Sequence, residues 1–547
     1  MDTLKVLAFV LALGATPLAA AAQQPTTMAE VVDKIVAQEQ AEVQVLRQYS
    51  PLVEIYMQFF RSDKHLGPVL DGDSYFLGRA ELAKGLELEP LIRGTGGKHT
   101  ILSTFASFLS VDFLPSAFLQ VIYPDMNGFD RQHYKFTYVR REFLGEVRCL
   151  VFDVDPLAKS DKGHFRGRIW AEDRDYHIVR FNGSYSSKAS SFSFDSWRVN
   201  AGKNQWLPAV IYSEEGNALT HGNEQFEPFK AQTRLWGYAL GGTSEEQQLS
   251  KLMVEGPVKD QTETGNDYSP LQAERSWGRQ AEDNVADRLE WMGLIAPRGD
   301  VDRVLDTVVN NLEVTNNLDI RPEVRCRVLM TSTLESFTIG HTIVLSRGLV
   351  DVLPDEASLA AILAHELSHV VLGHRMDTRF AFLNRVRFNE TKTFDHFGFA
   401  RTAEEEKAAN QKAMELLRNS PYKDQLENAQ LFLEALQNRS KTIPCLISPH
   451  LGDRVSTGWT VSSSRLSAAK PGATVTAGLP LGGHIKIDPW SDQLRLLKTQ
   501  PVGTVAEYER IPFEVTPFFL YLTVQSDKLS TDAVGVTSAE ADRDAKQ

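Results

Sequence analysis

The sequence predicts an α+β protein of several domains: an N-terminal antiparallel β domain preceded by a helix, a mainly helical domain built round an HExxH motif, and a β-rich C-terminal extension. Three observations predict it. Hydropathy alternates with period two across residues 133–240, helical spacing returns over 281–312 and 354–373, and a polar stretch without periodicity, 255–268, separates the two regimes.

Taken in order, residues 1–22 (MDTLKVLAFVLALGATPLAAAA) place Lys5 before a short apolar run, followed by small residues that offer A-x-A cleavage after Ala22. This is the layout of a secretory signal peptide, and the run is too short to span a bilayer as a helix. Residues 28–61 read as a helix, with Val31, Val32, Ile35 and Val36, then Val43, Val45 and Leu46, spaced at threes and fours. Residues 101–123 are rich in Phe and Leu but carry Asp112 and Pro115, so they read as a buried or membrane-surface segment and not as a span, with burial preferred.

The β regime begins with Tyr134, Phe136 and Tyr138 alternating with Lys135 and Thr137. Residues 167–170 and 176–181 are short β-rich runs joined by an acidic turn, and 191–197 and 206–213 continue the style. A further helical stretch covers 402–418. After Pro444, residues 474–476, 484–487 and 513–522 read as β again, and 532–547 are small and charged, the composition of a disordered tail.

Composition narrows the function. Lys+Arg 58 against Asp+Glu 71 gives a net charge of −13, which argues against a nucleic-acid partner. Cys149, Cys326 and Cys445 are far apart with no CxxC pair, which excludes a cysteine zinc finger and allows at most one disulfide. No other run of 18 or more apolar residues occurs, so no transmembrane helix is expected in the mature chain, which should lie outside the cytoplasm, in the periplasm or cell envelope.

The chemistry sits in AHELSHV, residues 364–370. His365 and His369 are four apart on a helix, so both imidazoles leave one face and can bind one metal ion. Glu366 is placed to hold and deprotonate a metal-bound water, whose pKa the metal lowers. Leu359, Ile362, Leu363, Leu367, Val370 and Val371 make this helix mostly buried, and buried histidines and a glutamate need partners. A catalytic zinc takes three protein ligands and one open position. Glu404, Glu405 and Glu406 are candidates for the third, and spacing alone leaves all three open.

Residues 343–374, IVLSRGLVDVLPDEASLAAILAHELSHVVLGH, resemble the HtpX-like and CAAX-prenyl-protease-like zinc metallopeptidases, peptidase family M48. The resemblance covers about 304–454. It implies a zincin fold with a small edge-strand sheet, one Zn²⁺ per chain, and hydrolysis of polypeptide substrates. The family's third zinc ligand is a Glu followed by Ala at +3, a frame that Glu406 and Ala409 fit, which singles out Glu406. Asn410 stands where the family has Asp, a residue that orients a ligand; Asn keeps the hydrogen-bonding shape without the charge. The family's Asn-Ala-Phe strand is Glu335-Ser336-Phe337 here, expected to form the edge on which a substrate backbone pairs. His374 matches the pattern's last His, either supporting a metal ligand from behind or lining the substrate side of the cleft, or simply ending the helix after Gly373. Pro449 and Arg454 match a Pro–Arg pair, with Arg454 placed to orient a carboxylate or the developing oxyanion.

The β runs between about 136 and 212 resemble outer-membrane lipoprotein-sorting domains, which are half-barrel-like. That implies association with the outer membrane or its lipoproteins, and an alternative function as an envelope chaperone or lipid carrier with a weakly active peptidase fold. The expected partition is a signal peptide (1–22), an N-terminal β-rich domain (23–250), a linker and helical connection (251–300), the zinc metallopeptidase domain (301–460), the β-rich extension (461–531) and the tail (532–547).

Overall fold

The computed structural model describes residues 27–91, 116–239, 269–376, 401–447 and 476–524, with interruptions at 66, 85, 126–127, 158–163, 186–192, 203–204, 216–219, 222–223, 226–227, 483 and 498–511, together with 381, 399 and 453–454. The expected signal peptide, the tail and most of the 377–398 stretch lie outside the described residues.

Helix α1 (Met28–Leu46) starts where the Thr27 hydroxyl accepts from the Glu30 N–H. It ends at Leu46, short of the expected 61, because Pro51 biases Ser50 towards extended backbone. Leu52–Asp63 is instead strand β1. Its residues are buried on both faces, so the apolar run lost the period-two signature that marks a half-exposed strand. The strands β2 (Gly67–Glu81) and β3 (Glu87–Pro90) were likewise not anticipated.

After the short helix α2 (Ser116–Gln120) come β4 (Tyr134–Leu144), β5 (Val147–Pro156), β6 (Phe165–Glu172), β7 (Ile178–Tyr185), β8 (Ser193–Asn200) and β9 (Trp206–Glu215). A two-residue ladder, β10 (Thr220–His221) with β11 (Glu224–Gln225), leads to β12 (Phe229–Trp236). The ten-stranded sheet runs β3-β2-β1-β12-β9-β8-β7-β6-β5-β4 with every pair antiparallel.

The two faces of the sheet bury different things. On β1, Val53, Ile55, Met57 and Phe59 join Val31, Val32, Ile35 and Leu46 of α1. The alternate residues Leu52, Tyr56 and Phe60 join a second core shared with Leu334, Leu446 and Phe513. Each such side chain is worth about 1.5–3 kcal/mol when fully buried. Polar residues on this second face are matched one by one. Glu54 accepts from the Ser332 hydroxyl at 2.6 Å, the Tyr75 hydroxyl at 2.9 Å and Arg347 Nη2 at 3.0 Å. Gln58 donates to the Phe513 carbonyl and accepts from the Val515 N–H, both at 2.8 Å.

The rest of the chain is α3 (Pro270–Trp291), α4 (Asp300–Thr315), β13 (Arg325–Leu329), β14 (Glu335–Ile339), β15 (Thr342–Ser346), α5 (Arg347–Val352), α6 (Glu356–Leu372), α7 (Ala403–Arg418), α8 (Leu426–Arg439), α9 (Pro444–Ile447) and β16 (Asp453–Arg454). Helix α6 packs against α4, α7, α8 and β14. The small sheet runs β13-β15-β14-β16, with β13 and β15 parallel and the remaining pairs antiparallel.

Two expectations need correction. Strand β14 is not a free edge at two of the three residues named from sequence, Glu335 and Ser336, where β16 pairs with it, while Phe337 lies beyond that pairing. The C-terminal extension carries the short strands β17 (Ile485–Ile487), within the expected β run 484–487, and β18 (Leu494–Leu496), but residues 513–522 do not form the expected strand. Phe513, Val515 and Phe518 are buried as irregular chain against the large sheet, with one bridge from Val515 to Leu481. Their apolar spacing reflects that packing and not a ladder.

Candidate metal centre

Helix α6 begins where the Asp355 carboxylate accepts from the Ser358 N–H at 2.8 Å, and it stops at Gly373, whose φ of 71° suits glycine. Its interior has no face for water: Ala357 to His369 are all buried. His365 and His369 leave the same side, with their Nε2 atoms 3.1 Å apart.

The third group arrives from α7, and the structure decides among the three acidic candidates. Thr402 caps this helix and Glu405 closes the capping box, its carboxylate accepting from the Thr402 N–H at 3.0 Å. Glu404 is exposed. Glu406, the next residue round, places Oε2 3.3 Å from His365 Nε2 and Oε1 3.4 Å from His369 Nε2.

Distances of 3.1, 3.3 and 3.4 Å can be compared with an ion's demands. Ligands about 2.0–2.1 Å from a tetrahedral zinc stand about 3.3–3.4 Å from one another. The donor set, two imidazoles and a carboxylate, is that of a catalytic zinc site. Oε1 of Glu406 is buried and engaged in no hydrogen bond, a donor atom left for a cation. The residues therefore fit a metal ion. Burial pushes the Glu406 carboxyl up, but the two imidazoles outweigh it and hold the group at about 2, fully ionised near neutrality.

His374 is brought back onto the site by the left-handed turn at Gly373. Its N–H donates to the His369 carbonyl at 3.0 Å, and its Nδ1 lies 2.9 Å from His369 Nδ1. It therefore holds the ring of a candidate ligand, which is more than ending a helix. Burial, then the neighbouring His369, lower its pKa, which suits a neutral ring sharing one proton with its neighbour.

Glu366 is 1 % exposed and faces β14. The Ser336 hydroxyl donates to Oε1 and the Thr338 hydroxyl to Oε2, both at 2.6 Å. Neither hydroxyl was singled out from sequence, although Ser-x-Thr in a strand puts both on one face. Asn410 is half-buried one turn beyond Glu406 and makes no hydrogen bond among the described residues. Asp453 and Arg454 contribute backbone to β16, and the Arg454 side chain lies outside the described atoms. The three cysteines are free, so the disulfide that composition allowed does not form.

Comparison with known proteins agrees with this geometry. Residues 298–436 match the model of peptidase family M48, so the chain carries a peptidase family M48 domain, and His365, His369 and Glu406 lie within it as a group that could bind a metal ion. A comparison with curated proteins gives no match. The N-terminal region resembles two solved structures. A LolA superfamily protein from Nitrosomonas europaea is 11 % identical with a TM-score of 0.20, covering 39 % of this chain and 93 % of its own. A DUF1329 family protein from Desulfovibrio piger is 14 % identical with a TM-score of 0.21, covering 42 % of this chain and 100 % of its own. Among the described residues no helix is long and apolar enough to cross a membrane.

Proposed function

We propose that the chain is an exported zinc-dependent metalloendopeptidase that hydrolyses peptide bonds of extended or misfolded envelope proteins. The observation that carries this reading is the near-equilateral triangle of His365 Nε2, His369 Nε2 and the Glu406 carboxylate inside a peptidase family M48 domain. Export to the periplasm or cell envelope rests on the signal-peptide layout of residues 1–22.

In this reading His365, His369 and Glu406 hold the ion. A bound zinc supplies Lewis acidity towards the scissile carbonyl and acidifies water at the site. Glu366 takes a proton from the attacking water and returns it to the leaving amine, so bond cleavage leaves a carboxylate and an amine. His374 keeps the His369 ring in the orientation that presents Nε2. Glu406 stays ionised and brings a negative charge to the ion.

Zinc per purified chain, measured for the parent and for Glu406→Ala, tests the ligand set. About one zinc in the parent and clear loss in the variant is expected. Cleavage of labelled casein by the parent but not by Glu366→Gln tests the reaction. A zinc-loaded parent that leaves casein intact would favour the second reading, an envelope chaperone or lipid-binding protein. That reading is supported by an open groove of about 420 Å³ between α1 and the strands β4 and β5, lined by Val32, Phe136, Tyr138 and Phe152 with Arg131 and Lys135.

A further inference from the structure

We propose that Ser336 and Thr338 are positioning residues that set the carboxylate of Glu366, an inference that rests on the peptidase reading above. A buried carboxylate must be paired or hydrogen-bonded. Among the described residues no lysine or arginine pairs with Glu366. Its bonds come from two hydroxyls of one strand.

The geometry is that of a clamp. Strand β14 alternates, so Ser336 and Thr338 share the face that lies on α6, while Phe337 turns away and stacks on Phe399 with ring centroids 4.4 Å apart. At 2.6 Å, both contacts are in the range of hydroxyl–carboxylate bonds, which are the stronger kind. With one hydroxyl on each oxygen, rotation about the last side-chain bond would break both at once. Each carboxylate oxygen keeps a further lone pair, which the base needs to take up a proton.

The clamp is also tied to its surroundings. The Thr338 hydroxyl lies 3.3 Å from the backbone carbonyl of Glu366 itself, and the Thr338 carbonyl accepts from Arg401 Nη2 at 3.0 Å. Thr338 therefore joins the strand, the base and Arg401, the residue before the N-cap of α7. Ser336 is held in the ladder on both sides, opposite Leu345 of β15 and Asp453 of β16. The small sheet thus fixes the two hydroxyls, and they in turn fix Glu366. Neither residue touches the metal-binding group, so their loss should leave the ion in place.

The test uses the zinc-loaded full chain with labelled casein, and the variants Ser336→Ala, Thr338→Val, the two combined, and Thr338→Ser. Removing an outer partner of a metal site costs about 10–100-fold. Each single removal is expected to lower kcat about 10-fold and the pair more, with KM within about twofold and zinc content unchanged. Thr338→Ser, which keeps the hydroxyl, recovers most of the loss. A second readout needs no metal. In the zinc-free chain the combined variant lowers the melting temperature clearly when Glu366 is present and much less beside Glu366→Met. Equal losses in both backgrounds, or a combined variant with the parent's kcat, would overturn the proposal. If the zinc-loaded parent does not cleave at all, the peptidase reading fails, and the zinc-free comparison still decides whether the hydroxyls hold the carboxylate.

Discussion

Nδ1 of His374 lies 2.9 Å from Nδ1 of His369, while Nε2 of the same His369 ring faces His365 at 3.1 Å. One imidazole is thus gripped at its outer nitrogen and offered to an ion at its inner one. A ring fixed at one nitrogen has its tautomer fixed at the other, which raises its value as a ligand.

It follows that His374→Ala should weaken zinc binding about 10–100-fold without unfolding the protein. Competition against a chromophoric chelator measures this, with far-ultraviolet circular dichroism as the control for folding. An affinity equal to the parent's would show that the ring needs no such support.

Three neighbouring glutamates should behave in three ways. Glu406→Ala abolishes stoichiometric metal binding. Glu405→Ala keeps the metal and costs about 1 kcal/mol, because the capping box at Thr402 loses its reciprocal bond. Glu404→Ala changes neither quantity. Metal content and urea unfolding, run on all three, separate these outcomes.

The large sheet and the peptidase region share a buried ion pair, Glu54 with Arg347, both 1 % exposed. Replacing Glu54 by Ala leaves the buried guanidinium without its carboxylate and removes the acceptor to which the Ser332 and Tyr75 hydroxyls donate. A loss of about 3–5 kcal/mol is expected. Unfolding that becomes two separate transitions would show in addition that the pair couples the two regions.

Acid conditions should favour the junctions around the sheet. Burial pushes the Asp73 carboxyl up to about 6, even though it accepts from the Cys445 and Leu446 N–H groups. Burial likewise pushes Asp492, which accepts from the Gly237 N–H, up to about 7. A carboxyl raised in the folded state contributes most below its unfolded value, near 3.9, and that contribution is lost as pH rises through 6 and 7. Asp492→Asn should therefore be more stable than the parent at pH 8, on the order of 1–3 kcal/mol, with the gain shrinking towards pH 4. A gain that does not change with pH would contradict the assignment.

Much of this was legible along the chain. The spacing of His365 and His369 follows from the helical repeat, the caps at Asp355 and Gly373 bound their helix, and the period-two runs located strands from β4 onward. Two readings failed for different reasons. Strand β1 is covered on both faces, so its apolar run reports burial and not the backbone's period, whereas residues 518–522 do alternate buried and exposed yet form no regular strand. The edge expected at Glu335, Ser336 and Phe337 is filled at its first two residues by β16 from more than a hundred residues downstream, and no local feature of β14 announces that partner.

Local spacing was enough to bring together the candidate groups His365, Glu366 and His369, because residues four apart on a helix share a face whatever surrounds them. The packed fold is what brings Glu406, and not Glu404 or Glu405, beside the two imidazoles, returns His374 to His369, and closes Ser336 and Thr338 on Glu366. Those relations depend on how α7 and β14 are laid against α6. That placement is set by the whole packed core, and no short stretch of the chain encodes it.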